Sequence, residues 1–185
     1  MKRITVFIFA LLLYTSCKKD YEPRNIENVS IKAFKMDKTS IRAIKAIDSN
    51  TMYFVGSRGD FSYTNDSGKS WTTEPVSDRD YIIPHFRSRA YNGIDFFGLS
   101  IENPALLYKI SDEKTELVYT ENHKKVFYDA MTFFDDNKHG IAVGDPTENC
   151  ASILLTADGG NTWNKISCDN LPLFEEGEAF FAASN

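Results

Sequence analysis

The chain has 185 residues, 42% of them apolar and 14% aromatic, with a formal net charge of −5. The length suits one ordinary domain, and the many large side chains favour strands around a packed core over helices. The basic residues are dispersed, so there is no concentrated cationic face of the kind that holds nucleic acid.

The first segment is for targeting. Lys2 and Arg3 precede a run from Ile4 to Tyr14 that is apolar apart from Thr5. It falls short of the roughly 20 apolar residues a spanning helix needs, and it has the layout of a signal peptide. Leu13-Tyr-Thr-Ser-Cys17 resembles a bacterial lipobox, which implies cleavage before Cys17 and lipid on its sulfur; Tyr14 stands where an aliphatic residue is usual. The other reading is an ordinary signal peptide with Cys17 as an incidental thiol. Residues 18–28 form a polar tether. It opens Lys18-Lys-Asp-Tyr-Glu22, similar to the charged tag of surface lipoproteins of the Bacteroidetes type. The expected location is the outer membrane or cell surface, with the periplasmic side as the other option and a lipid anchor as the only membrane contact.

Residues 29–185 read as repeated strands. Ser40–Ile47 alternates apolar and polar residues, the half-buried strand period. Asp48-Ser-Asn50 turns the chain into Met52–Val55, which Gly56 stops. Ser57-Arg-Gly-Asp60 leads to Phe61–Thr64, and Trp71 opens a fourth strand. The order recurs in Phe86–Tyr91, Asn92-Gly93, Ile94–Phe97 with Gly98, and Ala105–Ile110. It recurs again in Tyr128–Phe134, Asp135-Asp-Asn137, Gly140–Val143 with Gly144, and Ile153–Leu155.

Two octapeptides mark the repeat: Thr64-Asn-Asp-Ser-Gly-Lys-Ser-Trp71 and Thr156-Ala-Asp-Gly-Gly-Asn-Thr-Trp163. Asp66 and Asp158 lie 92 apart (158 − 66), twice 46, and Asp112 stands halfway in a degenerate copy that has Lys114 and Leu117 for the Gly and Trp. A period of 46 matches one four-stranded propeller blade of roughly 40–50 residues. The fold class is therefore all-β: four-stranded antiparallel β-propeller blades, about three plus the start of a fourth at Gly177, in an incomplete ring. A ring of three blades and a stub leaves an open edge, so the expectation is a fragment or the product of a truncated gene. The glycines Gly56, Gly98 and Gly144 are spaced 42 and 46 (98 − 56 and 144 − 98), which puts the slippage in one loop.

Each octapeptide residue has a physical use. Asp66 and Asp158 can accept backbone N–H groups further along the turn. Gly68 and Gly160 can take a positive φ, and Trp71 and Trp163 offer apolar area beneath the hairpin. Cys150 and Cys168 lie symmetrically about Gly159, which would make them cross-strand partners close enough to bond; two free thiols are the other reading. Export would favour the bond.

The octapeptides resemble the Asp-box (BNR) repeat of sialidases, sortilin-type receptors and photosystem II assembly factor-like propellers. Val55-Gly-Ser-Arg-Gly59, His139-Gly-Ile-Ala-Val-Gly-Asp-Pro146 and Gly177-Glu-Ala-Phe-Phe-Ala-Ala-Ser184 are similar to bacterial lipoproteins of that last group. The resemblance covers about residues 30–185 and implies that the Asp-box aspartates are structural and face away from the ligand site. In such propellers the ligand face collects the N-terminal ends of the innermost strands and the loops between second and third strands. That selects Arg42, Arg87, Asp129 and Glu178 from the strands, and Arg58 and Asp145 from the loops. They form either a ligand-binding ring or a set of solvated charges.

No catalytic residue is assigned. Asp145 and Glu178 could form the carboxylate pair of a glycoside hydrolase, but the Arg-Ile-Pro signature of sialidases is absent. There is no Gly-x-Gly-x-x-Gly, no Cys-x-x-Cys and no histidine cluster, so no cofactor or metal is expected. The sequons at Asn28 and Asn65 read as chance. The expected function is a non-catalytic binding or assembly module for a protein partner or glycan. The alternatives are a sialidase-like glycoside hydrolase and an inactive fragment of either kind.

Overall fold

A computed structural model describes residues 23, 26–77 and 82–180. The chain divides into two units, Met1–Phe34 and Lys35–Asn185. The described part of the first unit, residues 23 and 26–34, contains no helix or strand. Cys17, the signal segment and most of the tether lie outside the described residues. Among the described residues no helix is long and apolar enough to cross a membrane.

The described residues of the second unit form twelve strands in three antiparallel sheets, each with its strands in chain order. Blade 1 holds β1 (Ile41–Ala46), β2 (Met52–Gly56), β3 (Asp60–Thr64) and β4 (Thr72–Pro75). Blade 2 holds β5 (Phe86–Tyr91), β6 (Phe96–Ser100), β7 (Ala105–Ile110) and β8 (Thr115–Glu121). Blade 3 holds β9 (Tyr128–Phe133), β10 (Gly140–Gly144), β11 (Ser152–Thr156) and β12 (Asn164–Lys165). These are the propeller blades that the 46-residue period predicts.

The repeat has two periods. The first hairpin of each blade keeps a step of 44: β2, β6 and β10 end at Gly56, Ser100 and Gly144. The same step separates Asp48, Asn92 and Asp136, whose side-chain oxygens each accept two backbone N–H groups two and three residues on. These Asx turns fold the first hairpins. The outer strands drift to the 46-residue step because the link from second to third strand lengthens blade by blade. The slippage is thus shared among the blades, not confined to one loop.

Gly98 shows why the sequence suggested otherwise. It lies inside β6 and does not end it. The Phe86 ring lies over it, and a Cβ there would stand 2.8 Å from that ring. Glycine is required by close packing.

Strand register gives every blade two faces. Tyr53, Val55 and Phe61 of blade 1 pack on Phe86, Leu106, Tyr108 and Ile110 of blade 2. The opposite face of blade 2, with Ala90, Phe97, Leu99 and Leu107, packs on Tyr128, Met131, Ala142, Leu154 and Trp163 of blade 3. We call the face toward the following blade the front and the other the back. Neighbouring residues of β7 thus serve different cores, so blade 2 reads as a continuous apolar run. Each large side chain buried there stabilises by roughly 1.5–3 kcal/mol.

Polar bonds cross both seams. Tyr53 donates to the Ala90 carbonyl at 2.7 Å and Arg89 Nε to the Ile44 carbonyl at 3.2 Å. Glu121 accepts from the Tyr119 and Tyr128 hydroxyls and from Lys165 Nζ. Burial pushes the Glu121 carboxyl up, but these donors outweigh it and hold it below its ordinary value.

Cys150 and Cys168 are joined, with Cα atoms 5.5 Å apart. They are not cross-strand partners. β12 pairs only Asn164 and Lys165 with Leu155 and Leu154, and the chain then leaves the sheet for a 3-10 turn, Cys168–Asn170. Cys150 bridges instead to Leu173. The bond ties the entry of β11 to the segment that leaves the blade.

Candidate functional site

The octapeptides build one turn twice. Thr64 Oγ1 donates to Asp66 Oδ1 at 2.8 Å and accepts from Gly68 N at 3.0 Å. Asp66 Oδ1 also accepts from Ser70 N at 2.9 Å, and Oδ2 from the Ser70 hydroxyl at 2.6 Å. In the second copy Thr156, Asp158, Gly160 and Thr162 make the same bonds at 2.9, 3.0, 3.0 and 2.6 Å. The Ser70 hydroxyl is the main cause that holds the Asp66 carboxyl far below its ordinary value. At Asp158 burial acts upward, and bonds from Thr162 and Thr156 override it to leave the group at about 2. Every carboxylate oxygen of the two turns is engaged by its own loop, a structural arrangement.

The middle turn is built otherwise. Four residues, Ser111–Lys114, join β7 to β8, and Ser111 closes the turn by bonds to Lys114. Asp112 takes none of the roles of Asp66 or Asp158. In this short hairpin the Lys114 N–H is taken by the Ser111 hydroxyl, so the turn is closed by Ser111 and not by a carboxylate.

At the opposite ends of the first strands the predicted charges share one backbone feature. The register of β1 against β2 skips Arg42, that of β5 against β6 skips Arg87, and that of β9 against β10 skips Asp129. All three therefore sit on β-bulges, which re-aim a side chain out of the alternation of the strand. Sequence periodicity gave no sign of these bulges, because a bulge shows only in the pairing.

Arg87 and Asp129 meet across the seam between blades 2 and 3. Arg87 Nε donates to Asp129 Oδ1 at 3.3 Å, and the guanidinium lies 5.0 Å over the Phe127 ring. Asp129 is 3% exposed at its side chain, and Arg87 25%. Burial is the main cause that raises the Asp129 carboxyl, Asp145 adds to it, and Arg87 opposes both. Asp129 is therefore an interior anchor and not a rim charge. Arg87 is the group it presents.

Asp145 and Glu178 share a cleft of about 480 Å³, which Lys125, Glu148, Phe174 and Glu175 also line. Asp145 Oδ1 accepts from Phe180 N at 2.8 Å, and Glu178 Oε2 from Glu175 N at 2.7 Å. Glu178 lies on a turn that Gly177 makes with φ +88°, and no strand forms through residue 180. The expected fourth first strand does not begin at Gly177; residues 181–185 lie outside the described residues. Arg42 and Arg58 stay exposed and outside this cleft. The ring is thus divided: Arg87, Asp129 and Asp145 come together, Glu178 joins Asp145, and the arginines of blade 1 stand apart. Phe127, Lys125 and Phe174 were missed because they flank strand ends and carry no motif. Among the described residues no group of three or more His, Cys, Asp or Glu converges to hold a metal ion.

No protein-family model matches the chain, and no curated protein matches it. Among solved structures, YCF48 bound to D1 peptide is 16% identical with a TM-score of 0.54, over 73% of this chain and 42% of that one. YCF48 from Cyanidioschyzon merolae is 16% identical with a TM-score of 0.49, over 69% of this chain and 37% of that one. A GH74 xyloglucanase from Xanthomonas campestris is 13% identical with a TM-score of 0.49, over 65% and 19%. The chain spans less than half the length of each. The first of these similarities carries the fold, a β-propeller, and nothing finer.

Proposed function

We propose that the chain is a non-catalytic binding module: Asp-box propeller blades on a cell-envelope lipoprotein, holding a peptide segment of a partner protein. The hydrogen bonding of Asp66 and Asp158 supports the Asp-box reading, since both carboxylates are used up within their turns. The lipoprotein reading rests on Lys2, Arg3, the apolar run and Cys17. The observation that carries the binding role is Arg87. A bulge aims it, Asp129 and Phe127 hold it, and a quarter of its side chain stays open. A guanidinium already fixed in place loses little freedom when it takes a peptide carbonyl or carboxylate. A structure of this fold is bound to a peptide, which favours a peptide over a glycan here.

The test is selection from a random peptide library displayed on phage, followed by affinity measurement on the peptides recovered. Arg87→Lys keeps a cation beside Asp129 but loses the planar fork, and it should weaken those peptides about tenfold, about 1.4 kcal/mol. Peptides that bind Arg87→Lys unchanged would sink the site. Turnover of fluorogenic glycosides that disappears in Glu178→Gln would replace the binding role with hydrolysis.

A further inference from the structure

The middle turn leaves a gap at the seam between blades 1 and 2. At the next seam the octapeptide turn sends Trp163 onto Phe97 of the preceding blade, with ring centroids 6.4 Å apart. The counterpart of Phe97, one step of 44 earlier, is Tyr53 (97 − 44 = 53). The short turn Ser111–Lys114 carries no tryptophan, and Leu117, at its place in the pattern, is 42% exposed. Phe96 covers Tyr53 instead, with centroids 4.5 Å apart. Beside Phe96 a cleft of about 260 Å³ stays open. The front of blade 1 lines it with Phe61, Tyr63 and Glu74, the back of blade 2 with Phe96 and Ile110, and the turn with Asp112. Glu74 stands opposite Phe61 in the β3–β4 pairing, so the two share this face.

We propose that this cleft binds a small organic cation of the alkylammonium class. Its walls are aromatic, and Tyr63 and Phe96 are only half-buried. The Phe61 ring lies 5.9 Å from Tyr63 and 5.4 Å from Phe96. Aromatic faces carry the negative part of the ring quadrupole and attract cations. The ring planes meet at 35° and 47°, so the wall is curved. A rounded ammonium head can touch several tilted rings, whereas a planar guanidinium stacks on one flat face. Glu74 and Asp112 supply negative charge at the exposed mouth. Among the described residues neither carboxylate has a hydrogen-bond or ion-pair partner. The lysines of the same hairpin are engaged elsewhere: Lys114 Nζ holds Glu116 at 2.8 Å, and Lys109 Nζ holds Asp95 at 3.1 Å. Asp112, which no longer gathers its own turn, is therefore open to a ligand. The cleft is separate from the Arg87 site. Arg87 follows Phe86, which pairs with Ser100 at the end of β6, and Phe96 lies at the other end of that strand.

The test follows backbone amide signals by NMR while choline or N-acetyl-lysine methylamide is added to the full chain. Ser111 and Asp112 should shift, and the tighter of the two probes tells whether the ammonium is free or borne on a lysine. Neohexyl alcohol, which has carbon in place of the charged nitrogen of choline, should bind about tenfold more weakly than choline. Glu74→Gln combined with Asp112→Asn changes only exposed side chains, so the variant should fold. It should weaken the cations about tenfold and leave the alcohol as it was. Arg87→Lys should change none of these affinities, so loss of the peptide site and loss of this one are read apart. No shift at Ser111 and Asp112 with either cation overturns the proposal. Equal binding of choline and the alcohol overturns it too, since the cleft would then be a plain apolar gap. Cation binding that survives the loss of both carboxylates unchanged would also sink it.

Discussion

The two octapeptide turns carry the same hydrogen bonds yet stand in different company. In blade 3 the turn leans on the blade before it. Trp163 is buried against Phe97 and Phe133, and Gly160 sits under the Phe97 ring, 2.5 Å from where a Cβ would be. Asn92 of blade 2 donates to the Gly159 carbonyl at 2.7 Å. Among the described residues no blade packs on the corresponding side of blade 1. Trp71 packs on Phe54 of its own blade and stays half-buried, and a Cβ on Gly68 would meet nothing closer than 3.6 Å. A local motif thus sets the turn, and the neighbouring blade sets what the turn is worth.

Truncating the two tryptophans should separate the turns most. Trp163→Ala should cost about 3–5 kcal/mol, as for a large aromatic lost from a core. Trp71→Ala should cost clearly less, read from urea midpoints. Equal losses would mean that the preceding blade adds nothing to the second turn.

The glycines come next. Gly68 and Gly160 both have positive φ, +77° and +87°. Alanine should cost about 1–2 kcal/mol at either for that conformation. At Gly160 the clash with Phe97 should add about 1–3 kcal/mol, as overpacking does. Thermal unfolding of the two variants checks the gap, and a Gly68→Ala that unfolds first would reverse the comparison.

The aspartates should differ least. Asp66→Ala and Asp158→Ala each remove bonds to backbone N–H groups, a loss comparable to that of a helix cap at about 0.5–2 kcal/mol. These bonds are local, so the two losses should agree closely; a large excess at Asp158 would show that the carboxylate also serves the seam.

Acid gives the smallest effect. The Asp158 carboxyl lies at about 2 in the folded protein, below its ordinary value of about 3.9. A depressed carboxylate contributes stability that is present above the unfolded value and fades as pH falls through the folded one. The Asp158 signal in an NMR titration should therefore move only near pH 2, and a midpoint near pH 4 would mean that the turn bonds do not hold in solution. The Asp136 carboxyl, held at about 2 mainly by the His139 side chain, should follow it and should respond to His139→Gln, whereas Asp158 should not.

Much of the fold could be read from the residues. The octapeptides, the alternation in Ser40–Ile47 and the turn clusters yielded three four-stranded blades with nearly correct strands, because backbone propensity and turn chemistry act over a few residues. Two of the failures come from contacts outside the local run, and one from the length of a hairpin. Gly98 looked like a strand end, but a ring from another strand makes it glycine. Asp112 fits the spacing yet sits in a hairpin too short to use it. Cys150 and Cys168 meet through the departing segment, not through a symmetric hairpin.

The site was legible in its positions but not in its groupings. Arg42, Arg87 and Asp129 were selected as equivalent residues, and they share a bulge. That Asp129 turns inward to hold Arg87, and that Asp145 and Glu178 share a cleft away from Arg42 and Arg58, depends on contacts between residues far apart in the chain. By itself the sequence determined the period, the all-β class and the two self-contained turns, since these follow from neighbouring residues. The tertiary structure alone decided which face of each blade is covered and which charges meet, because both depend on how one blade stacks on the next.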